Sequence, residues 1–259
     1  MLANPVTDVM LKRKSVRRYT AEQPSDELVQ AIVRAGQQAP FAYQLCSVLL
    51  SRRQADNPFH APLLFTLCID IHRLELVMAQ RTWRRVTNDL TLLLFGAQDA
   101  SLMAENMVIA AESFGLGSCF LGDAPYQAGK IAEDYQLPPR VFPLVQLAMG
   151  YPAEDFPPRP RYPLAFTLFE DRYPPLDTEA VQTAMRSMDE GYRAQGYYLK
   201  LNALIPLETG RPETYTYDSY SWTEHISRKA GQWEASADEL LEQLAKRGFY
   251  IPGHGPRTE

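Results

Sequence analysis

The longest periodic segment of the chain, residues 89–115, has apolar residues at Leu92, Phe95, Leu102, Met103, Val108 and Ile109 and few charges. The spacing predicts a helix, and so apolar a helix must be covered on most of its surface. That requirement places it at the centre of the fold. It also predicts an intertwined homodimer, because a monomer of this size would expose too much apolar surface.

Other elements gather around this helix. Ser25 reads as an N-cap, with Asp26 and Glu27 in the first turn and Leu28, Ala31, Ile32 and Ala35 at helical spacing before Pro40. Residues 48–51, 63–70, 118–121 and 141–149 read as strands, and 130–135 and 178–192 as helices. Ser236, followed by Asp238 and Glu239, reads as the cap of a last helix running to Lys246. The character of the chain changes after Leu176, and residues 196–222 are rich in tyrosine and turn residues. The expected division is a domain over 1–175 and a C-terminal extension over 176–259.

Composition narrows the function. The 259 residues carry a net charge of −5, which argues against a nucleic-acid binder, since affinity for a phosphate backbone needs a basic surface. No apolar run approaches the roughly 20 residues of a membrane helix, and residues 1–10 lack a signal-peptide pattern. Three scattered cysteines, Cys46, Cys68 and Cys119, suggest neither a disulfide framework nor a metal site. A cytoplasmic protein without structural metal is expected.

Against this acidic background two basic clusters stand out, Arg13-Lys14-Ser15-Val16-Arg17-Arg18 and Arg159-Pro160-Arg161. Arg13, Ser15 and Arg17 alternate, so an extended segment would point them the same way. Guanidinium groups with a hydroxyl suit a phosphate, although a lone cluster of this kind also reads as a solvated basic stretch. Prolines 157, 158, 160 and 163 hold the second cluster extended. Between the clusters lies Gly115-Leu116-Gly117-Ser118-Cys119-Phe120-Leu121-Gly122, whose glycines suit close backbone approach to a flat ligand.

The order and wording of these segments resemble the FMN-dependent nitroreductase family, over about residues 8–170. Arg13, Ser15 and Arg17 match its opening Arg-x-Ser-x-Arg/Lys, with Lys14 in the variable place. Ala39-Pro40-Phe41-Ala42-Tyr43-Gln44-Leu45-Cys46-Ser47 is similar to its Ala-Pro-Ser/Thr-x-x-Asn-x-Gln segment, with Gln44 as an amide substitute. Phe41 and Cys46 depart from that pattern, and Phe41 reads equally as a pocket wall or as core. The glycine run resembles the family's Gly-Leu-Gly-Thr/Ser-Cys-Trp-Ile-Gly. Gly150-Tyr151-Pro152-Ala153-Glu154 with Arg159 and Arg161 resembles its closing segment.

The resemblance implies an α+β, three-layer fold with a central, mainly antiparallel sheet flanked by helices, as an intertwined homodimer. It implies FMN as cofactor, with Arg13, Ser15, Arg159 and Arg161 at the phosphate, Arg17 at the pyrimidine edge and Lys14 also among the cofactor-binding residues. Pro40, Phe41 and Gln44 would face a flavin bound mainly by the partner subunit, and Leu121 and Gly122 would lie at the reactive N5 edge. The chemistry is the cofactor's, so no catalytic side chain is implied: hydride from NAD(P)H would pass to a nitroaromatic, quinone or related conjugated acceptor in a ping-pong cycle. A flavin-storing or sensing protein of the same fold is the alternative. Residues 52–62 are too few for the helix that supplies further flavin contacts in many members. Beyond the resemblance, the stretch Tyr215 to Trp222 reads as a substrate wall or a partner contact, and His225 and Arg228 as candidate acid or nicotinamide-phosphate contacts.

Overall fold

The computed structural model describes residues 4–208, 210–232 and 237–251. They fall into two compact units, one of 4–156 with 237–251 and one of 157–208 with 210–232. The sequence suggested a single boundary near residue 175; by contacts the chain leaves the first unit after Phe156, and residues 237–251 belong to it again.

In the first unit, α1 (Pro5–Lys12) starts at an Asn4 cap that accepts from the Val6 and Thr7 amides, with proline in the first turn. Helix α2 (Asp26–Gln37) starts where expected, Ser25 Oγ accepting from the Leu28 amide at 3.2 Å. Strand β1 (Cys46–Ser51) turns through a short 3-10 segment at Pro58–His60 into β2 (Leu63–Asp70). No α-helix fills residues 52–62, as expected from their number. Asp70 ends β2 and caps α3 (Ile71–Gln80) at once, accepting from the Arg73 amide at 2.9 Å.

Helix α4 (Asp89–Ser113) is the long apolar helix, stopped by Gly115 at a φ of 82°. Strand β3 (Gly117–Leu121), α5 (Ala128–Asp134) and β4 (Val141–Gly150) follow. The sheet order is β1-β2-β4-β3, every pair antiparallel. Alternation along β2 sends Leu63, Phe65 and Leu67 to the face packed against α2 and α4, with Ile32, Met107 and Leu116. Leu64 on the opposite face meets Cys119, Ala148 and Tyr19.

The second unit contains α6 (Thr178–Ala194), α7 (Tyr197–Leu201) and α8 (Trp222–Gln232). Its core is aromatic: Met188, Tyr192, Tyr198 and Tyr220 are buried, with Trp222 packed against them. Asp189 of α6 fixes the start of α8, accepting from the Thr223 amide and hydroxyl at 2.9 and 2.6 Å.

Helix α9 (Ala237–Lys246) belongs to the first unit. The expected cap at Ser236 lies outside the described residues. Leu244 and Phe249 complete a core with Leu45, Ile69, Ile71, Leu92 and Phe142. The chain is tied there by buried Asp89, which takes bidentate hydrogen bonds from Arg140 at 2.9 and 2.6 Å and one from the Tyr250 amide at 2.7 Å. Burial opposes the charge on Asp89, but these bonds outweigh it and hold the carboxyl below its ordinary range. Breaking a buried ion pair strands the other charge, so Asp89→Ala should cost about 3 kcal/mol of stability in urea unfolding. Glu75 remains 3.3 Å from Arg140 and keeps the loss at the low end.

Candidate functional site

Residues 13–20 run alongside the start of β3 and the residues that follow β4. The Val16 amide donates to the Ser118 carbonyl at 2.8 Å, and Ser15 and Ser118 form a parallel bridge. At the other edge Thr20 donates to Tyr151, Ala153 donates to Arg18, and the Arg17 amide donates to the Glu154 carboxylate at 2.9 Å. The first basic cluster, the glycine run and the Gly150–Glu154 turn are thus brought together. Val16 is buried, and Tyr19 closes the strip by donating its hydroxyl to Val16 O at 2.6 Å and Ala148 O at 3.1 Å. Burial pushes that phenol far up, so it acts as a donor.

The three glycines of the run do different work. Gly115 supplies the left-handed residue that stops α4. A Cβ on Gly117 would stand 2.5 Å from Val16 Cγ2, so this glycine admits the chain's own extended segment, not a ligand. Gly122, beside Leu121, has nothing within 4 Å of a built Cβ and so leaves open space along its backbone.

The basic residues divide by partner. Arg13 is half-buried and Arg17 exposed; neither forms an ion pair among the described residues, and Arg17 reaches only the Ser15 carbonyl, at 3.5 Å. Lys14 is engaged, pairing with Asp155 and donating to the Phe156 carbonyl at 2.7 Å. Two buried polar atoms next to this segment have no hydrogen-bond partner, Ser118 Oγ and Glu112 Oε1. Uncommitted guanidinium groups with neighbouring serine hydroxyls fit an oxyanion such as a phosphate. Cys119 is buried, and burial holds its thiol up against the pull of Arg17 and Arg13, so it is an unreactive packed residue.

Pro40, Phe41 and Gln44 line a second feature, a cavity of about 520 Å³ with Gln37, Cys46, Ser47, Arg73, Asp99 and Met103 in its wall. None of residues 13–17, 121 or 122 lines it. Phe41 is 55% exposed and Tyr43 51% exposed, so Phe41 is a wall residue and not core.

Arg159 and Arg161 lie in the second unit. There Arg159 donates to Gln195 Oε1 at 2.7 Å and stacks 4.0 Å over the Tyr197 ring, and Arg161 donates to the carbonyls of Arg159 and Pro160. Arg228, a candidate for a nicotinamide phosphate, is buried and saturated. It binds Glu213 at 2.6 and 2.8 Å, Glu224 at 2.7 Å and the Ile205 carbonyl at 2.7 Å. Hydrogen bonds from Arg228 and the Tyr215 amide pull Glu213 down to about 2, so the clamp stays ionised and closed to a second anion. His225 is held by Tyr220 at 3.2 Å, and burial, then Lys229, lowers its pKa. Within the Tyr215–Trp222 stretch, Tyr220 is buried in the core of the second unit and Trp222 packs against it, whereas Tyr215 and Tyr217 are exposed. Sequence reasoning missed Arg73, Asp99 and Glu112; only the isolated acids of α4, set in an apolar helix, left a signal.

The model of the nitroreductase family matches residues 46–151. An NADPH-dependent oxidoreductase of Staphylococcus aureus (strain MRSA252) is 30% identical over 96% of this chain and 99% of its own length. An NADPH-flavin oxidoreductase of Vibrio harveyi is 28% identical, over 80% of this chain and 91% of its own. The solved structure of B. megaterium NfrA2 is 25% identical, covering 95% of this chain and 98% of that one with a TM-score of 0.77. The chain belongs to the nitroreductase family, and its α+β fold is nitroreductase-like.

One titration follows from this site. Burial pushes the Glu112 carboxyl up to about 7, against the pull of Arg13 and Lys14 and helped by Glu105. Between roughly pH 4.5 and 7 the folded protein therefore holds a proton that the unfolded chain has released, and stability falls as pH rises through that window. Glu112→Gln should remove this slope. Its denaturation midpoint should change less than that of the wild type between about pH 5 and about pH 8.

Proposed function

We propose that this chain is an FMN-dependent oxidoreductase that takes hydride from NAD(P)H and reduces nitroaromatic, quinone or related conjugated acceptors in a ping-pong cycle. The observation that carries the reading is the convergence of the 13–18 segment, the glycine run and the Gly150–Glu154 turn on one strip of the sheet, in a member of the nitroreductase family. The names of its S. aureus and V. harveyi relatives support NADPH as donor and a flavin as carrier.

FMN, when bound, supplies the hydride chemistry, accepting and releasing it at N5. The chain's own residues bind and orient. Arg13 and Ser15 hold the phosphate, and Arg17 offers a cation to the electron-rich edge of the ring, which favours the reduced form. The open backbone at Gly122, beside Leu121, leaves room for the reacting edge. Arg159 and Arg161 enter this reading from the sequence resemblance alone. Lys14 neutralises Asp155 and keeps that carboxylate from repelling the phosphate.

A second copy of the chain completes the reading. Leu90, Leu94 and Leu102 of α4 are 50%, 59% and 44% exposed, and Val6, Met10 and Leu11 of α1 are exposed as well. Covering this apolar surface is the reason to expect a homodimer. Pro40, Phe41 and Gln44 then face the partner's flavin.

Purified protein given FMN should turn yellow, bleach with NADPH or NADH, and run at twice the chain mass. Arg13→Ala and Arg161→Ala should each weaken FMN binding by about 1.5–3 kcal/mol, the scale of a charged hydrogen bond. Protein that stays colourless after reconstitution refutes the reading. Reduction by dithionite but by neither nicotinamide nucleotide would assign a storage or sensing role instead.

A further inference from the structure

Asp99 is only 4% exposed, yet it sits in the middle of α4, facing the 39–47 segment. Its carboxylate accepts three backbone hydrogen bonds from that segment: Ala42 N at 2.6 Å, Tyr43 N at 3.2 Å and Leu45 N at 2.8 Å. Such a set is what an irregular loop needs, because its amides have no strand or helix to pair with. The loop is irregular here: Gln44 adopts a φ of 55°, which breaks any regular ladder. Arg73 secures the other side, donating from one nitrogen to the Gln44 and Cys46 carbonyls, each at 2.7 Å. Asp70 adds a bond from the Ser47 hydroxyl, and its own amide donates to Leu45 O at 3.0 Å.

Side chains from α3 and α4 therefore specify the backbone of residues 42–47, and with it the places of Pro40, Phe41 and Gln44 along the cavity wall. Phe41 gains little from packing, being largely exposed, so it cannot hold that position itself.

We propose that Asp99 is the positioning residue of the 39–47 segment, fixing through its three amide bonds the wall that Pro40, Phe41 and Gln44 present to the flavin, with Arg73 as its counterpart on the carbonyl side. The proposal rests on the FMN reading above. It assigns neither residue to the chemistry: both act through the backbone, and the segment they shape does the contacting. Replacing the carboxylate by an amide brings an N–H₂ donor against a cluster of N–H donors, so at least one amide loses its acceptor and the loop relaxes.

The test compares Asp99→Asn with Val108→Ala, a core truncation on the same helix at a buried residue that makes none of these bonds. FMN dissociation constants are read by flavin fluorescence, and amide exchange is followed over residues 41–46 without flavin. Asp99→Asn should bind FMN more weakly by roughly tenfold or more and exchange faster over 41–46, the scale expected when a buried donor loses its partner. Val108→Ala should lose comparable thermal stability while keeping wild-type FMN affinity and local exchange. If Asp99→Asn keeps both wild-type affinity and wild-type exchange, the proposal falls and the FMN reading stands. If the wild-type protein itself binds no FMN, the reading falls and takes the proposal with it. Should Asp99→Asn not fold, Arg73→Gln decides: weaker FMN binding with faster exchange at 44–46 supports the proposal, and unchanged values overturn it.

Discussion

The contact of Val16 with Gly117 is the constraint on which the candidate site depends. An extended segment can lie against the start of β3 only where that strand has no side chain, and Gly117 provides the gap. Val16 fills it, buried, and its amide completes the bond to Ser118. With residue 16 turned inward, alternation leaves Arg13, Ser15 and Arg17 off the core, where neither arginine forms an ion pair among the described residues. Hydrophobic burial of one valine thus orients the cationic groups beside it. Arginines on a free tail would have to be ordered by the ligand at a cost in side-chain entropy.

The 39–47 segment is held by the opposite means. It has few apolar anchors, and its shape comes from polar bonds between backbone groups and the side chains of Asp99, Arg73 and Asp70. Buried backbone groups outside regular structure need partners, and here two helices lend them. The two walls therefore differ in kind, one set by packing and one by hydrogen bonding.

Much of the fold was legible in the sequence where local signals agree with tertiary ones. Strand β2 lies at its expected bounds because its eight residues are buried on both faces, with Thr66 the one polar residue before Asp70 ends the run. The start of α2 was marked by Ser25, and the end of α4 by glycine. Helix α3 was unread because Asp70 closes a strand and caps a helix in one step, leaving no loop to announce the change. The glycine run was legible as a place of close approach, but not which glycine meets protein and which meets open space. Asp99 and Arg73 left no motif, since their partners are backbone atoms whose positions exist only in the folded chain. The domain boundary followed composition in the sequence and contacts in the structure, and the two part where residues 237–251 return to pair with Asp89 and Arg140.

That return has a consequence for how the molecule is made. The core around Leu45, Ile69, Ile71 and Leu92 is built from early residues but closed by Leu244 and Phe249. During vectorial synthesis the nascent chain would emerge with this apolar hollow open while the whole of 157–235 is still being added. Contacts of such sequence separation form late and slowly. Until they do, the exposed hollow is a natural target for chaperones and for misassociation between neighbouring nascent chains.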